Sequence, residues 1–188
     1  MHEKLSWKPH IANVTSKASQ SLGFIRRNLA QCSTATKQLA YTTLVRSQLE
    51  YAGAILDPYR QNQVDQLERV QRRVVRFISG NYNREDSVTA MREELGLPPL
   101  QKRRQHSRWV MMHKIIHGHV AIPRPDYIQP RARTTRSQQQ HRFTRLSTSS
   151  DSYKHSFFPR TLKEWDGLPQ NIIELPSVEQ FKEAIATL

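Results

Sequence analysis

Val64-Asp65-Gln66-Leu67-Glu68-Arg69-Val70-Gln71-Arg72-Arg73-Val74-Val75-Arg76-Phe77-Ile78 is the stretch on which the fold class turns. Val64, Leu67, Val70, Val74, Phe77 and Ile78 recur at three- and four-residue steps, which puts them on one face of a helix. At about 100° per residue, Arg69, Arg72, Arg73 and Arg76 gather on nearly the opposite side. The pattern predicts a helix over 62–79 with its apolar face in a bundle and four guanidinium groups outward. Gly80-Asn81 follows, and a glycine just past the last turn is the usual helix stop.

The segments on either side read the same way. Upstream, Ile11, Val14, Ala18, Leu22, Ile25 and Leu29 form a stripe, with Pro9 near its start and Arg26 and Arg27 in its last turn. Ser33 is the expected N-cap of a second helix over 34–56 that turns Tyr41, Leu44, Val45, Leu49, Ala52 and Ile55 inward. Asp57-Pro58 ends it, because the residue before proline is pushed out of helical angles. Downstream, Ser87 is expected to cap a short helix reaching Leu95. Gly96 and Pro98-Pro99 then break the chain before a helix over 100–118. That helix starts basic, with Lys102, Arg103, Arg104 and Arg108, and ends apolar, with Trp109, Met112, Ile115 and Ile116.

Past Gly118 the periodicity is lost. Residues 119–155 hold Pro123, Pro125 and Pro130 and a Thr/Ser/Arg/Gln-rich tract with Gln138-Gln139-Gln140, the mark of a loop or disordered linker, with room for a short strand. A helix over 160–166 and a last one over 177–187, capped by Ser177, are expected to pack through Phe157, Phe158, Leu162, Trp165, Leu168 and Phe181. The expectation is a mainly α protein in three parts. Residues 1–118 form a thumb-like helical bundle, 119–155 a basic, partly disordered connector, and 156–188 a small C-terminal helical segment. No repeat and no strand-type alternation is present.

Composition narrows the function. The chain has 188 residues, of which 29 are Lys or Arg and 16 Asp or Glu, a net charge of +13. Residues 101–160 hold 13 basic and 2 acidic residues, so one third of the chain carries most of the excess. With so few carboxylates to neutralise it, this segment favours a polyanion over a merely solvated linker. No apolar run reaches the roughly 18–20 residues that span a bilayer. Met1-His2-Glu3-Lys4-Leu5 lacks the apolar stretch of a signal peptide. The lone Cys32 excludes an internal disulfide framework and any cysteine-based zinc cluster. The expected setting is intracellular, nuclear or cytoplasmic, away from membranes.

A catalytic constellation is missing from the pattern. Metal-dependent nucleotide chemistry needs converging carboxylates, whereas Asp57, Asp65, Asp86, Asp126, Asp151 and Asp166 are scattered. Glu85-Asp86 and Glu93-Glu94 are neighbours whose side chains point apart. His113 and His117 are four apart on a helix, a spacing that suits a shared metal, but no third ligand stands near in sequence. Two polar histidines beside the Trp109–Ile116 stripe is the better reading, and Trp109 itself reads as core. There is no phosphate loop, no dinucleotide turn and no nucleophile elbow. No cofactor, metal or catalytic residue is expected.

Ser6-Trp7-Lys8-Pro9-His10-Ile11, Ser21 to Leu29 (SLGFIRRNL), Leu44 to Ala52 (LVRSQLEYA) and Leu67 to Phe77 (LERVQRRVVRF) succeed one another in order. Later come Ser87-Val88-Thr89, Leu95-Gly96-Leu97, Ser156 to Thr161 (SFFPRT) with Trp165, Leu168-Pro169, and Pro176-Ser177-Val178 with Phe181. As a set, spread over nearly the whole chain, they resemble the region after the palm in non-LTR (LINE-type, Jockey-like or chicken-repeat-like) retrotransposon reverse transcriptases. The resemblance implies a helical thumb and post-thumb region of an RNA-directed DNA polymerase, without the palm's paired aspartates and therefore non-catalytic alone. It also implies a partner, the RNA/DNA template–primer duplex gripped without sequence preference, with a polymerase palm domain in cis or in trans. Arg69, Arg72, Arg73, Arg76, Lys102, Arg103, Arg104 and Arg108 are the expected phosphate contacts, because Arg suits bidentate phosphate binding. Six such contacts would give a logarithmic salt slope of roughly −5. A degenerate retroelement relic, or a domesticated helical scaffold that binds protein and no nucleic acid, is the alternative.

Overall fold

In the computed structural model, which describes residues 7–130 and 141–188, the chain is mainly helical. Residues 1–6, among them Ser6 of the first motif quoted above, and residues 131–140, among them Gln138, Gln139 and Gln140, lie outside the described residues. The elements run α1 (Lys8–Asn28), α2 (Thr34–Ala40), a π-helical segment (Tyr41–Arg46), α3 (Ser47–Glu50), α4 (Gln61–Ser79), α5 (Val88–Glu94), α6 (Leu100–Ile116), α7 (Asp151–Lys154), α8 (Phe157–Trp165), α9 (Gln170–Ile173) and α10 (Val178–Ala186). No described helix is long and apolar enough to cross a membrane. The chain divides into two units, Met1–Arg104 and Gln105–Leu188, so the boundary falls inside α6 and not at the break after Gly118.

In the first unit α1 packs on α4 and on the π segment. Ile11, Ala18, Leu22 and Ile25 of α1 meet Leu67, Val70, Val74, Phe77 and Ile78 of α4, all buried, as their spacing predicts. Gly80 ends α4 at φ +66°, a left-handed angle that costs a residue with a Cβ energy and glycine little. Ser87 caps α5 by accepting from the Ala90 N–H at 3.3 Å.

The second predicted helix departs from expectation. Thr42, Thr43 and Ser47 each hydrogen-bond a carbonyl four residues back, a contact that loosens the helical ladder, and Tyr41–Arg46 widens into a π-helix. The wider turns keep Tyr41, Val45 and Leu49, each four apart, fully buried. Leu44 and Ile55, expected inside, are exposed, and so is Ala52. The helix stops at Glu50, short of 56, and Ala52 takes φ +50°. Gly53 then lets the chain close on α6: a Cβ there would lie 3.3 Å from Arg104 Cγ.

The second unit has its own core of Trp109, Met112, Ile128, Phe143, Leu162, Trp165, Leu168, Ile172, Ile173, Phe181 and Ile185. Four of these side chains, Leu162, Trp165, Leu168 and Phe181, come from the expected C-terminal set. Ile128 and Phe143 do not, since they belong to the segment read as linker, yet both are almost wholly buried. Pro130 pairs with Phe143 in an isolated bridge, and α7 forms inside the same segment. The basic tract also contributes Arg142, which donates to the carbonyls of Trp165 (3.2 Å), Asp166 (2.5 Å) and Leu168 (2.7 Å), satisfying the end of α8. Ser177 precedes α10, but its hydroxyl meets Glu179 and no backbone N–H.

Candidate nucleic-acid interface

The eight expected phosphate contacts part into two groups. On α4, Arg69, Arg72 and Arg73 are exposed, and among the described residues no acidic side chain pairs with them. Arg69 and Arg73, one turn apart, border an open groove of about 360 Å³ between α4 and α1. Its other walls are Ala12, Thr15, Ser16, Ser19, Gln66 and Val70. Arg73 Nη2 donates to Ser19 Oγ at 2.7 Å, which fixes one guanidinium over the groove. The Thr15 and Ser19 hydroxyls donate to the Ile11 and Thr15 carbonyls, which leaves two cations, the Ser16 hydroxyl, an amide and no carboxylate to meet an anion on this wall. Farther along the same bundle, the Arg26 guanidinium lies 5.6 Å over the Tyr82 ring.

Arg76 has a different task. It donates to the carbonyl of Asn83 at 2.6 Å and reaches those of Asn81 and Asp86 at 3.5 Å. Its charge satisfies the loop that follows α4, so this side chain is a loop clamp and not a phosphate contact.

The α6 group is largely internal. Lys102 is half-buried. Arg103 pairs with Glu50 through Nε and Nη2, the second contact at 3.0 Å, and that hydrogen bond raises its pKa above the ordinary value. Arg104 is 4% exposed, donates to the Leu49 carbonyl and lies 3.8 Å from the equally buried Asp57 carboxylate. Arg108 is 2% exposed, and its Nη2 bridges both oxygens of Glu164 at 2.7 Å. Burial lowers the Arg108 pKa, against the pull of the Glu164 hydrogen bond. Arg160 shares the same carboxylate at 3.3 Å. These three arginines hold their own units together, and as phosphate contacts they are corrected. The sign was in the spacing: Leu100, Arg104, Arg108 and Met112 fall on one i+4 row whose two ends are apolar and buried.

Comparison with protein-family models, with curated proteins and with solved structures gives no match.

The histidines of the second unit are gathered. His113 and His117 rings lie 4.2 Å apart, and His117 and His141 4.9 Å apart. His113 is buried, with Nε2 at 2.6 Å from the Leu175 carbonyl. Desolvation lowers the pKa of both His113 and His117, with His141 a further cause at His117. His141 is a neighbour that sequence spacing alone does not reveal. Among the described residues, no three metal-ligating side chains converge in a metal-holding arrangement. Trp109 is 7% exposed within the second core, with His106 stacked 5.4 Å away.

Proposed function

We propose that the chain is a non-catalytic nucleic-acid-binding module that grips the sugar–phosphate backbone along α4, as the post-palm region of a non-LTR reverse transcriptase would grip a template–primer duplex. A polymerase palm in cis or in trans would supply the chemistry. The observation that carries this reading is the acid-free groove between α1 and α4, where Arg69 and Arg73 stand exposed beside the Ser16 hydroxyl. The +13 net charge supplies long-range attraction to the same class of partner. Binding of this kind has no sequence preference and lies at about 10⁻⁴–10⁻⁶ M at physiological salt.

On this reading the footprint is smaller than eight contacts. With Arg76, Arg103, Arg104 and Arg108 engaged elsewhere, about three contacts remain on α4, and the salt slope falls to roughly −3. Fluorescence anisotropy with a labelled hybrid duplex tests this, wild type against R69Q/R72Q/R73Q. The variant is expected to lose more than about tenfold in affinity and most of the salt dependence. Equal binding by both proteins would remove α4 from the interface.

The scaffold alternative draws on Leu39, Leu44, Tyr51 and Ile55, large apolar side chains exposed on or just after α2–α3. Such contacts withstand moderate salt, whereas a phosphate grip weakens, so one salt titration separates the two.

A further inference from the structure

The cationic wall between α1 and α4 continues past Arg73. On α1 the row of Ala12, Thr15, Ser16 and Ser19 runs on to Gly23 and Arg26. On α4 the row of Arg69 and Arg73 runs on to the helix end at Gly80, where the chain turns toward Tyr82. Arg73 donates to Ser19 at 2.7 Å, and two turns later Arg26 lies 5.6 Å over the Tyr82 ring. The two rows therefore run side by side and in the same direction for about 10 Å beyond the Ser19–Arg73 contact. Midway, a Cβ on Gly23 would lie 3.4 Å from Arg27 Nη1, so the Arg27 guanidinium reaches back over the bare glycine. Arg26 and Arg27 are exposed, and among the described residues neither pairs with a carboxylate.

Tyr82 is 53% exposed. Arg26 sits over one face of its ring, a cation–π contact that steadies the ring and leaves the other face for a ligand. We infer that Tyr82 is a stacking platform for one unpaired nucleobase, at the end of a strand whose phosphates lie along Arg69 and Arg73. The inference rests on the nucleic-acid reading given above and adds a base-binding position to its backbone contacts. Arg69 and Arg73, roughly 5–6 Å apart at Cβ, anchor the strand, and Arg27 keeps the stretch toward Tyr82 positive. The far end differs in charge, because Glu85 and Asp86 outnumber Arg84 in the loop that carries Tyr82. A phosphate is repelled there and a neutral base is not, so the base meets the ring. Every base has a flat π face, so the platform has little sequence preference. A paired base is already stacked inside its duplex, so the ligand is a single strand or an unpaired overhang.

Short single-stranded RNAs carrying 2-aminopurine at the 5′ or the 3′ end, bound to the full chain, test the inference. Stacking on Tyr82 is expected to quench the label at one end and spare the other. Y82A should abolish that quenching and weaken the strand about tenfold. A strand abasic at the same end should bind Y82A and wild type equally, which also shows that the variant is folded. Y82F should match wild type, since the ring and not the hydroxyl carries the stack. R69Q/R73Q should weaken the base-bearing and the abasic strand alike. Salt-sensitive binding with neither label quenched, or with equal affinities for Y82A and wild type, would overturn the platform and spare the backbone reading. Equal losses by Y82A on the two strands would also overturn it, because Tyr82 would then act by shaping its loop. No binding of any strand would overturn both readings.

Discussion

Helices α4 and α6 are both arginine-rich, but they place those arginines differently. On α4, Arg69, Arg72 and Arg73 ride on the solvent side of a helix whose valines and leucine are buried. On α6, Arg104 and Arg108 occupy positions where an apolar residue would otherwise sit, and each meets a carboxylate. The local density of positive charge is similar in the two helices. What separates them is the angle each arginine makes with its own apolar stripe, and whether an acid arrives from elsewhere in the chain.

That contrast is open to direct attack. The largest effect is expected on stability. Arg104→Ala removes the cation 3.8 Å from the buried Asp57, and Arg108→Ala strips Glu164 of its closest partner while leaving it Arg160. Breaking a buried pair from one side costs about 3–5 kcal/mol. Arg69→Ala and Arg72→Ala are expected to shift stability by less than about 0.5 kcal/mol. Urea unfolding of the four variants checks the difference, and four similar values would erase it. Nucleic-acid affinity should invert the order, with R69Q/R72Q/R73Q losing more than about tenfold and Arg103→Gln near wild type by the same anisotropy measurement.

The second unit should also respond to pH. His113 and His117 have folded pKa values below the ordinary 6.5, held there chiefly by burial. As pH falls through that value the unfolded chain takes up protons first, so unfolding is favoured. Stability is therefore expected to be level above about pH 7.5 and to decline through 6.5 toward 5.5. Thermal unfolding at the three values, with H113N/H117N as the flattened control, measures this. A smaller cost than that of the buried pairs belongs to Gly80→Ala, about 1 kcal/mol for the left-handed angle alone, read from the same urea unfolding.

Where periodicity was long and unbroken, it was enough. The stripes of α1 and α4 and the glycine stop at Gly80 were all legible, because each is a property of neighbours along the chain. Arg104 and Arg108 were half-legible. They were read as phosphate contacts although their i+4 row with Leu100 and Met112 runs into the core, and Asp57 and Glu164, their carboxylate partners, are far away in sequence. The segment 119–155 misled for a related reason. Its core residues Ile128 and Phe143 are isolated, and Arg142 works by capping carbonyls of α8, so no repeat announces them. Of the candidate interface, the arginine ridge was readable. The groove that α1 forms beside it was not, since it arises from two helices meeting across the bundle.

The π-helical turn at Tyr41–Arg46 has a consequence of its own. It behaves as one extra residue stored in an otherwise regular rod, and everything after it is rotated by that surplus. Excising a single residue from this turn would restore ordinary winding and swing the following segment by roughly 100°. Leu49 would leave the core and Glu50 would lose Arg103. A one-residue deletion on the surface would thus be felt as a phase error deep inside.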